Sequence, residues 1–511
     1  METVHPPIGK VYLIGAGPGD PGLLTLKGKR CLEEADVVVH DYLANPRLLR
    51  YARSDAELVY VGKQAGKHTL PQDQIGRLLV ARAQQGKVVA RLKGGDPFIF
   101  GRGGEEAEEL AEAGIPFEVV PGVTAAVAVP AYAGIPLTHR DFTSSVAFVT
   151  GHEDPTKEDT SIAWDKLATG IGTLVFFMGV GQLAEIVHKL VSNGRSPETP
   201  AAVIRWGTRA EQEVVTATLA TLAERCQGMT PPALIVVGEV VGLREKLRWF
   251  ESLPLAGKRI LITRAREQAS VLAQLLEAAG AEVVEFPTIA LQPPQSWEPL
   301  DGAIQRLEEY AWVLFTSANG VRFFWERLQA AGKDLRALAG KTVCAIGPAT
   351  AAALQALGIR ADLVPTQFRA EALVEAIGAQ DIAGARMLLV RAAEAREVLP
   401  EELTRRGARI DVVAAYRTVR AGGDVEAVRA LLRDRKVQVV SFASSSTVKH
   451  FFALLGPETK ELLAGVTIAA IGPITAETAA QLGVHCHIVP DQYTIPALVA
   501  ALGKYFAAGL Q

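Results

Sequence analysis

The chain has 511 residues, of which 49% are hydrophobic and 21% charged. Since a single core stops growing near roughly 250–300 residues, we expect a globular protein of several domains. A net charge of −3 lacks the basic signature of a nucleic-acid-binding protein. The four cysteines are far apart in sequence, which argues against a zinc site or a disulfide framework and predicts a metal-free protein of the reducing cytoplasm.

The N-terminal segment lacks the apolar core of a signal peptide. One uncharged stretch, residues 119–138, is long enough to cross a membrane. It contains Pro121, Pro130 and Pro136, each of which would interrupt a spanning helix. The stretch therefore predicts a buried loop with a short helix, and we expect no membrane partner.

Four apolar runs in the first part of the chain read as β-strands: residues 11–14, 36–40, 57–61 and 87–92. Helical patterns separate them, and this alternation predicts a mainly parallel sheet, whose ligands bind beyond the carboxyl ends of the strands. Asp41, Lys63 and Asp96 follow three of these strands and form a candidate site. The alternatives are a turn or helix-cap aspartate at Asp41 and a solvated surface lysine at Lys63.

The fourth strand leads into the glycine-rich run KGGDPFIFGRGG at residues 93–104. Glycine loses backbone entropy on folding, so this density indicates that a ligand or another backbone passes close by. A tight strand-to-helix turn is the alternative.

An earlier run, GAGPGDPG at residues 15–22, partly matches a dinucleotide-binding fingerprint. The match fails because Asp20 stands where GxGxxG requires glycine. Pro18 also removes a backbone donor that a pyrophosphate would use. We therefore do not expect NAD to bind here.

The second half of the chain repeats itself. RILITRA at 259–265 recurs as RMLLVRA at 386–392, an offset of 386 − 259 = 127 residues. FTSANGV at 315–321 recurs as FASSSTV at 442–448, also at 127, and AIGPAT at 345–350 recurs as AIGPIT at 470–475, an offset of 125. Three ordered matches at nearly one offset predict a duplicated α/β domain.

Each copy places small polar residues after its strands, among them Ser317, Ser444 and Thr475. Their hydroxyl groups and the neighbouring backbone N–H groups suit carboxylate ligands in a cleft between the copies. The alternative is that they cap helix N-termini, and capping and ligand binding can coexist.

The motifs GAGPGDPGLLT (15–25), GGDPFIFGR (94–102) and PGVTA (121–125) resemble the tetrapyrrole methylases, and uroporphyrinogen-III C-methyltransferase in particular. The resemblance covers residues 11–238. It implies two α/β domains that bind folded S-adenosylmethionine in the cleft between them.

The same resemblance assigns roles to individual residues. It implies Asp41 and Lys63 as the paired base and acid. Because the substrate is a polycarboxylate, Arg102 and Arg140 are the best candidates to bind it. The residues implied to contact S-adenosylmethionine are Pro18, Gly94, Gly95, Asp96, Ile99, Thr124, Ala125, Met178 and Gly207.

Residues 257–502 resemble uroporphyrinogen-III synthase through FTS (315–317), AAYRT (414–418) and IGPIT (471–475). The family fold has two domains joined by a two-stranded connection, and the reaction is the cyclisation of hydroxymethylbilane with inversion of its last ring. Tyr416 would assist departure of the hydroxyl group, with Thr475 as a second catalytic residue. Ser317 and Ser444 would bind the substrate.

These resemblances predict an α/β fold throughout: a two-domain methylase fold followed by a duplicated, two-domain synthase fold. The predicted boundaries are 8–245 for the methylase (subdomains 8–130 and 131–245), 246–257 for a linker and 258–511 for the synthase (258–290 plus 419–511, and 291–418).

Together they predict a bifunctional enzyme that makes uroporphyrinogen III and methylates it twice to precorrin-2, on the siroheme and cobalamin branch. The alternative is a methylase of another precorrin or another substrate, followed by a non-catalytic ligand-sensing module. The methylase resemblance also implies a homodimer that forms through this half.

Overall fold

The computed structural model describes residues 8–62, 70–152, 161–263, 266–366, 370–378, 381–394, 398–420 and 424–508. The chain divides into two compact units. The first unit comprises Met1–Arg259, Leu275–Glu282 and Leu502–Gln511, and the second comprises Ile260–Gln274 and Val283–Ala501.

The first sheet confirms the four strands and the parallel arrangement that the sequence predicts. Its strands are β1 (Lys10–Gly15), β2 (Val37–His40), β3 (Glu57–Tyr60), β4 (Val88–Lys93) and β5 (Phe117–Val120). The helices among them are α1 (Leu26–Glu34), α2 (Gln72–Gln84) and α3 (Gly103–Glu112). The strand order is β3-β2-β4-β1-β5, and every neighbouring pair is parallel. The ends of β2, β3 and β4 therefore lie side by side at one edge of the sheet.

A second, mixed sheet follows. Its strands are β6 (Val146–Thr150), β7 (Thr173–Phe177), β8 (Pro200–Arg205), β9 (Glu213–Thr218) and β10 (Ala233–Val237). The helices of this region are α4 (Ala125–Tyr132), α5 (Trp164–Gly170), α6 (Leu183–Ser192), α7 (Leu219–Arg225) and α8 (Arg244–Leu247). The order is β6-β7-β10-β8-β9, with β10 antiparallel to both β7 and β8.

The short α4 lies within the apolar stretch 119–138, as the sequence predicts. Across the described ranges, every helix is too short or too polar to pass through a bilayer.

The remaining elements build two further sheets. The strands are β11 (Arg259–Ile262), β12 (Glu282–Glu285), β13 (Ile289–Gln292), β14 (Trp312–Phe315), β15 (Thr342–Ala345), β16 (Arg386–Ala392), β17 (Arg409–Arg420), β18 (Val439–Phe442) and β19 (Thr467–Ala470). The helices are α9 (Arg266–Ala278), α10 (Glu298–Gln305), α11 (Ala318–Ala330), α12 (Pro348–Ala356), α13 (Ala370–Ile377), α14 (Val398–Arg405), α15 (Val425–Arg433), α16 (Ser445–Leu455), α17 (Thr459–Leu462), α18 (Pro473–Gln481) and α19 (Ile495–Ala508).

The two sheets confirm the internal repeat. One has the order β12-β11-β18-β19 and the other β13-β17-β16-β14-β15. In both, the strand of the second repeated motif lies between those of the first and third, and all of these pairs are parallel. Equivalent helices also begin alike, because Ser317 and Ser444 cap α11 and α16 while Gly347 and Gly472 precede the prolines of α12 and α18.

We call the sheets and helices of these two copies lobes, and the chain passes between the lobes twice. The long strand β17 runs parallel to β16 over its first part. Its second part pairs antiparallel with β13, from Ile289 opposite Arg420 to Gln292 opposite Arg417. This pair is the two-stranded connection that the synthase resemblance implies.

Candidate functional site

The edge of the first sheet holds Asp41, directly after β2. Its Oδ1 accepts hydrogen bonds from the backbone N–H groups of Leu43 (3.1 Å) and Ala44 (3.2 Å), so a turn fixes the carboxylate. Its Oδ2 lies 3.5 Å from an Nη of Arg91. The predicted partner Lys63 lies outside the described residues.

The glycine-rich loop after β4 packs against two other loops through its backbone. Gly95 N–H donates to the Gly17 carbonyl at 2.9 Å, and Gly17 N–H returns a bond to the Gly95 carbonyl at 3.2 Å. A Cβ on Gly122 would lie 2.4 Å from the Gly95 carbonyl oxygen and 2.6 Å from Gly15 Cα. The three loops thus approach so closely that only glycine fits, and a neighbouring backbone accounts for part of the glycine density.

Asp96 joins two of these loops. Its Oδ1 accepts the N–H of Phe98 at 2.8 Å, and its Oδ2 accepts the N–H of Gly122 at 2.9 Å. Both carboxylate oxygens therefore accept hydrogen bonds from backbone N–H groups. Asp96 would thus shape a cofactor site by holding two of its loops together.

A small open space lies beside the same loops. Gly95 has φ = +70°, and a Cβ built on it would find only the Ala125 nitrogen, at 3.7 Å. Thr124 caps α4 by accepting the N–H of Ala126, so this space adjoins the positive end of a helix. Such a cradle, which a side chain would fill, fits the bound small molecule that the motif resemblance implies.

Strained backbone is concentrated in the loops around this space. Among the described non-glycine residues, those with positive φ are Phe100 (52°), Arg102 (58°), Met178 (54°), Trp206 (48°), Thr208 (72°) and Arg435 (55°). All but Arg435 lie after β4, β7 or β8 of the first unit. Strain of this kind tends to gather at functional sites.

Aromatic contacts link the two sheets of the first unit near these loops. The rings of Tyr42 and Trp206 are 6.0 Å apart, and those of Phe100 and Phe177 are 5.0 Å apart. Phe98 and Met178 nevertheless remain 54% exposed. An apolar, accessible surface therefore flanks Asp41 and the glycine loop, as a large hydrophobic ring would require.

The structure places the other predicted methylase residues at varied depths. Gly207 packs tightly, since a Cβ there would lie 2.4 Å from a methyl group of Val129. Arg102 stands at the N-cap position of α3 without a side-chain capping bond and forms a two-point ion pair with Glu105 (2.8 and 2.6 Å). Arg140 is exposed. Contact of the remaining members with a ligand stays a prediction: Pro18, Gly94, Ile99 and Ala125.

In the second unit, Tyr416 and Ser317 come together. Tyr416 lies on β17, is 7% exposed, and its hydroxyl is 3.0 Å from Ser317 Oγ. Ser317 Oγ also accepts the N–H of Gly320 at 3.0 Å. The Tyr416 ring stacks on Phe323 with centroids 5.7 Å apart. The hydroxyl pair is therefore held in one orientation.

Ser444 and Thr475 belong to the other lobe. Ser444 caps α16 by accepting the N–H of Thr447, which confirms capping as one of its roles, and Thr475 is 5% exposed on the first turn of α18. In the part of the chain that the structure describes, neither forms a hydrogen bond with Tyr416 or Ser317. Their part in substrate binding stays a prediction.

Comparison with known proteins agrees with this division of the chain. Residues 10–223 match the family described as Tetrapyrrole (Corrin/Porphyrin) Methylases, and residues 270–500 match Uroporphyrinogen-III synthase HemD. The "Porphyrin biosynthesis protein HemD" of Ruminiclostridium josui is 38% identical over 497 residues, 97% of each chain. This chain belongs to the same fused family. It combines a tetrapyrrole methylase with a uroporphyrinogen-III synthase.

Two shorter proteins resemble the methylase alone. The uroporphyrinogen-III C-methyltransferase of Bacillus subtilis is 55% identical over 247 residues, 48% of this chain and 96% of the relative. The crystal structure of a Thermus thermophilus uroporphyrin-III C-methyl transferase, complexed with S-adenyl homocysteine, is 42% identical, with a TM-score of 0.40. That structure covers 46% of this chain and 100% of its own.

The site predicted from the sequence does not include a buried charge cluster in the methylase. This cluster is formed by Arg91, Lys93 and Glu106. Their exposed fractions are 3%, 3% and 1%. Glu106 Oε1 accepts from Arg91 Nε at 3.2 Å, from Lys93 Nζ at 2.8 Å and from Gln72 Nε2 at 3.0 Å. Arg91 and Lys93 are two residues apart on β4 and so share a face, which is the signal that the sequence does offer.

The described residues hold no group of three or more His, Cys, Asp or Glu side chains arranged to bind a metal ion. All four cysteines are free thiols, and Cys31, Cys226 and Cys344 are buried. Burial raises the pKa of Cys344 to about 12, so this thiol is protonated and unreactive at neutral pH.

Proposed function

We propose that the synthase half cyclises hydroxymethylbilane to uroporphyrinogen III and that the methylase half converts this product to precorrin-2. S-adenosylmethionine would donate both methyl groups, and precorrin-2 would feed siroheme or cobalamin. The fusion itself supports this most directly, because this chain matches both families and aligns over 97% of a relative of nearly the same length. In this order the product of one half is the substrate of the other.

For methyl transfer, the bound donor supplies an electrophilic methyl group, and the protein positions a pyrrole carbon in line with it. Methylation of that carbon releases a ring proton, for which Asp41 is the general base. Two backbone N–H groups hold its Oδ1, and Oδ2, which lies 3.5 Å from an Nη of Arg91, would accept the proton. Lys63 would be the acid or charge partner, and Arg102 and Arg140 would bind substrate carboxylates.

For cyclisation, Tyr416 would donate its phenolic proton to the departing hydroxyl group. The C–O bond then breaks, water leaves, and an electrophilic carbon remains for ring closure. The hydrogen bond to Ser317 orients the phenol, which supports this role. Ser444 and Thr475 would hold carboxylates or the leaving group from the other lobe.

The test is anaerobic incubation of the full chain with hydroxymethylbilane and S-adenosylmethionine, with products separated by isomer and mass. A dimethylated type-III product supports the proposal. Type-I material alone, which forms without an enzyme, would reject the synthase assignment. Unmethylated uroporphyrinogen III would reject the methylase assignment.

We further propose the domain boundaries 8–245 and 258–511 and a homodimer that forms through the methylase half. The resemblance of that half to its family supports the dimer. Light scattering should then give about twice the chain mass of 54.5 kDa.

A further inference from the structure

The buried charge cluster does not balance by itself. Arg91 and Lys93 bring two positive charges and Glu106 one negative charge to positions that are at most 3% exposed. Unmatched buried charge is unfavourable. The remaining positive charge is matched by Asp41, whose Oδ2 lies 3.5 Å from Arg91. The proposed general base therefore completes the charge balance of the cluster.

Stability alone does not explain the cluster. Glu106 directs Oε1 at three donors, whereas its buried Oε2 has no hydrogen-bond partner among the described residues. Well-packed apolar residues are often at least as stable as a buried ion network. Burial and the nearby Arg91 lower the pKa of Lys93, whereas the charge and the hydrogen bond of Glu106 raise it.

We propose that Lys93 and Glu106 are positioning residues for methyl transfer, which hold the Arg91 guanidinium beside Asp41 and set the charge around that carboxylate. The inference rests on the proposed role of Asp41 as the base. When Asp41 accepts a proton, its negative charge disappears and the cluster keeps one unmatched positive charge. The charge of Asp41 during the reaction is thereby linked to Lys93 and Glu106, both of which are buried.

Other titratable groups face Asp41 from the neighbouring strands. His40 ends β2, and burial lowers its pKa. Tyr60 ends β3, and burial, followed by the charge of Asp41, raises its pKa. Lys63 belongs to the segment outside the described residues. All three remain unchanged in the variants below, so their contribution is common to every profile.

The test compares pH–rate profiles for methylation of uroporphyrinogen III by the full chain and its variants. Lys93→Met removes positive charge, so we expect the acid limb to move to higher pH by about 1 unit, the shift typical of one nearby charge. Glu106→Gln removes negative charge and should move the limb in the opposite direction. The KM for S-adenosylmethionine should stay unchanged while kcat falls.

Two further variants show whether charge is the cause. Lys93→Arg keeps the charge and should keep the wild-type profile. The double variant Lys93→Met/Glu106→Gln restores the balance between Arg91 and Asp41, and its acid limb should return to the wild-type position, which is a non-additive result.

Surface variants serve as matched controls. Lys189, which is partly exposed, and Glu185, which is exposed, form an ion pair on α6 at 2.8 Å. Lys189→Met and Glu185→Gln should therefore leave the profile in place.

The inference is overturned if the wild type methylates uroporphyrinogen III but the acid limb moves in the same direction in both single variants, or moves in neither. A wild type that transfers no methyl group would instead reject the proposed function. If a single variant fails to fold, the double variant Lys93→Met/Glu106→Gln provides the test. An acid limb that differs from the wild-type position in this variant overturns the proposal.

Discussion

At the scale of single residues, the glycine loop serves two purposes that the sequence cannot separate. Gly122 and Gly15 are glycines because another backbone lies where a side chain would be. Gly95 differs, since its missing side chain leaves open space next to the Ala125 nitrogen. We therefore expect ligand binding to depend on Gly95 more directly than on the other two.

Gly95→Ala should weaken donor binding by about tenfold or more, equivalent to about 1.4 kcal/mol, because the methyl group enters the open space. It should also destabilise the fold by about 1–2 kcal/mol, since φ is +70° at this position. Calorimetric titration with S-adenosylhomocysteine measures the first effect, and urea unfolding the second.

Gly114→Ala is the matched control. Gly114 has φ = +68°, but nothing lies within 4 Å of a Cβ built there. The control should lose similar stability and keep its affinity for the ligand. Equal affinities in both variants would show that the space at Gly95 does not hold the donor.

At the scale of elements, the sequence predicts strands well and charge partners poorly. The runs 11–14, 36–40, 57–61 and 87–92 match β1 to β4, because alternation of buried strands and helices leaves a clear apolar pattern. The 127-residue repeat likewise predicts the equivalent strand orders.

Charged residues are harder to predict because their partners are distant in sequence. Arg91 is 15 residues from Glu106 and 50 residues from Asp41 in sequence, so no local pattern pairs it with either carboxylate. Asp96 looks like a ligand group until its two backbone donors are located. Tyr416 is predictable from its motif, whereas its stacking on Phe323 depends on how β17 and α11 pack.

One exposed ion network joins three elements. Glu118 of β5 pairs with Lys10 of β1 at 2.6 Å and with Lys27 of α1. Hydrogen bonds from the two lysines lower the pKa of Glu118 from 4.5 to about 2. Because the folded-state pKa is depressed, the stabilisation is fully present above pH 4.5 and is lost as the pH falls toward 2.

Glu118→Gln should therefore lower the Tm slightly at pH 7, and the difference from wild type should narrow below pH 4.5. The effect is small because solvent screens exposed pairs, and added salt should reduce it further. Thermal unfolding between pH 3 and 7 measures it. Glu108→Gln, an exposed change on α3, is the control and should show no such pH dependence.

At the scale of the whole molecule, the two proposed active sites share no residue. Asp41 belongs to the first compact unit and Tyr416 to the second. Each unit has its own sheets and buried cores. The two activities should therefore be separable by single substitutions in the full chain.

Asp41→Ala should lower methyl transfer by about 10²–10⁴-fold, the range for loss of a general base, and leave cyclisation unchanged. Tyr416→Phe should slow cyclisation and leave methyl transfer from supplied uroporphyrinogen III unchanged. The two assays are run separately on each purified variant.

Asp55→Ala and Tyr310→Phe are the controls. Asp55 is an exposed aspartate, and Tyr310 is a buried tyrosine that is hydrogen-bonded to Asp411. Both should retain both activities. Loss of the two activities together in Asp41→Ala or Tyr416→Phe would contradict the independence of the sites.

The two-stranded connection between the synthase lobes also dictates an order of events during synthesis. Ile260 of β11 pairs with Val439 of β18. This pair cannot form until 439 − 260 = 179 further residues have been synthesised, which takes about 10–40 s of translation. The lobe containing β14 to β16 is encoded entirely within that interval. We expect a ribosome-bound chain arrested before residue 439 to protect this lobe from protease. Strand β11, which then has β12 beside it but lacks its partner β18, should stay accessible, because one of its apolar edges is open.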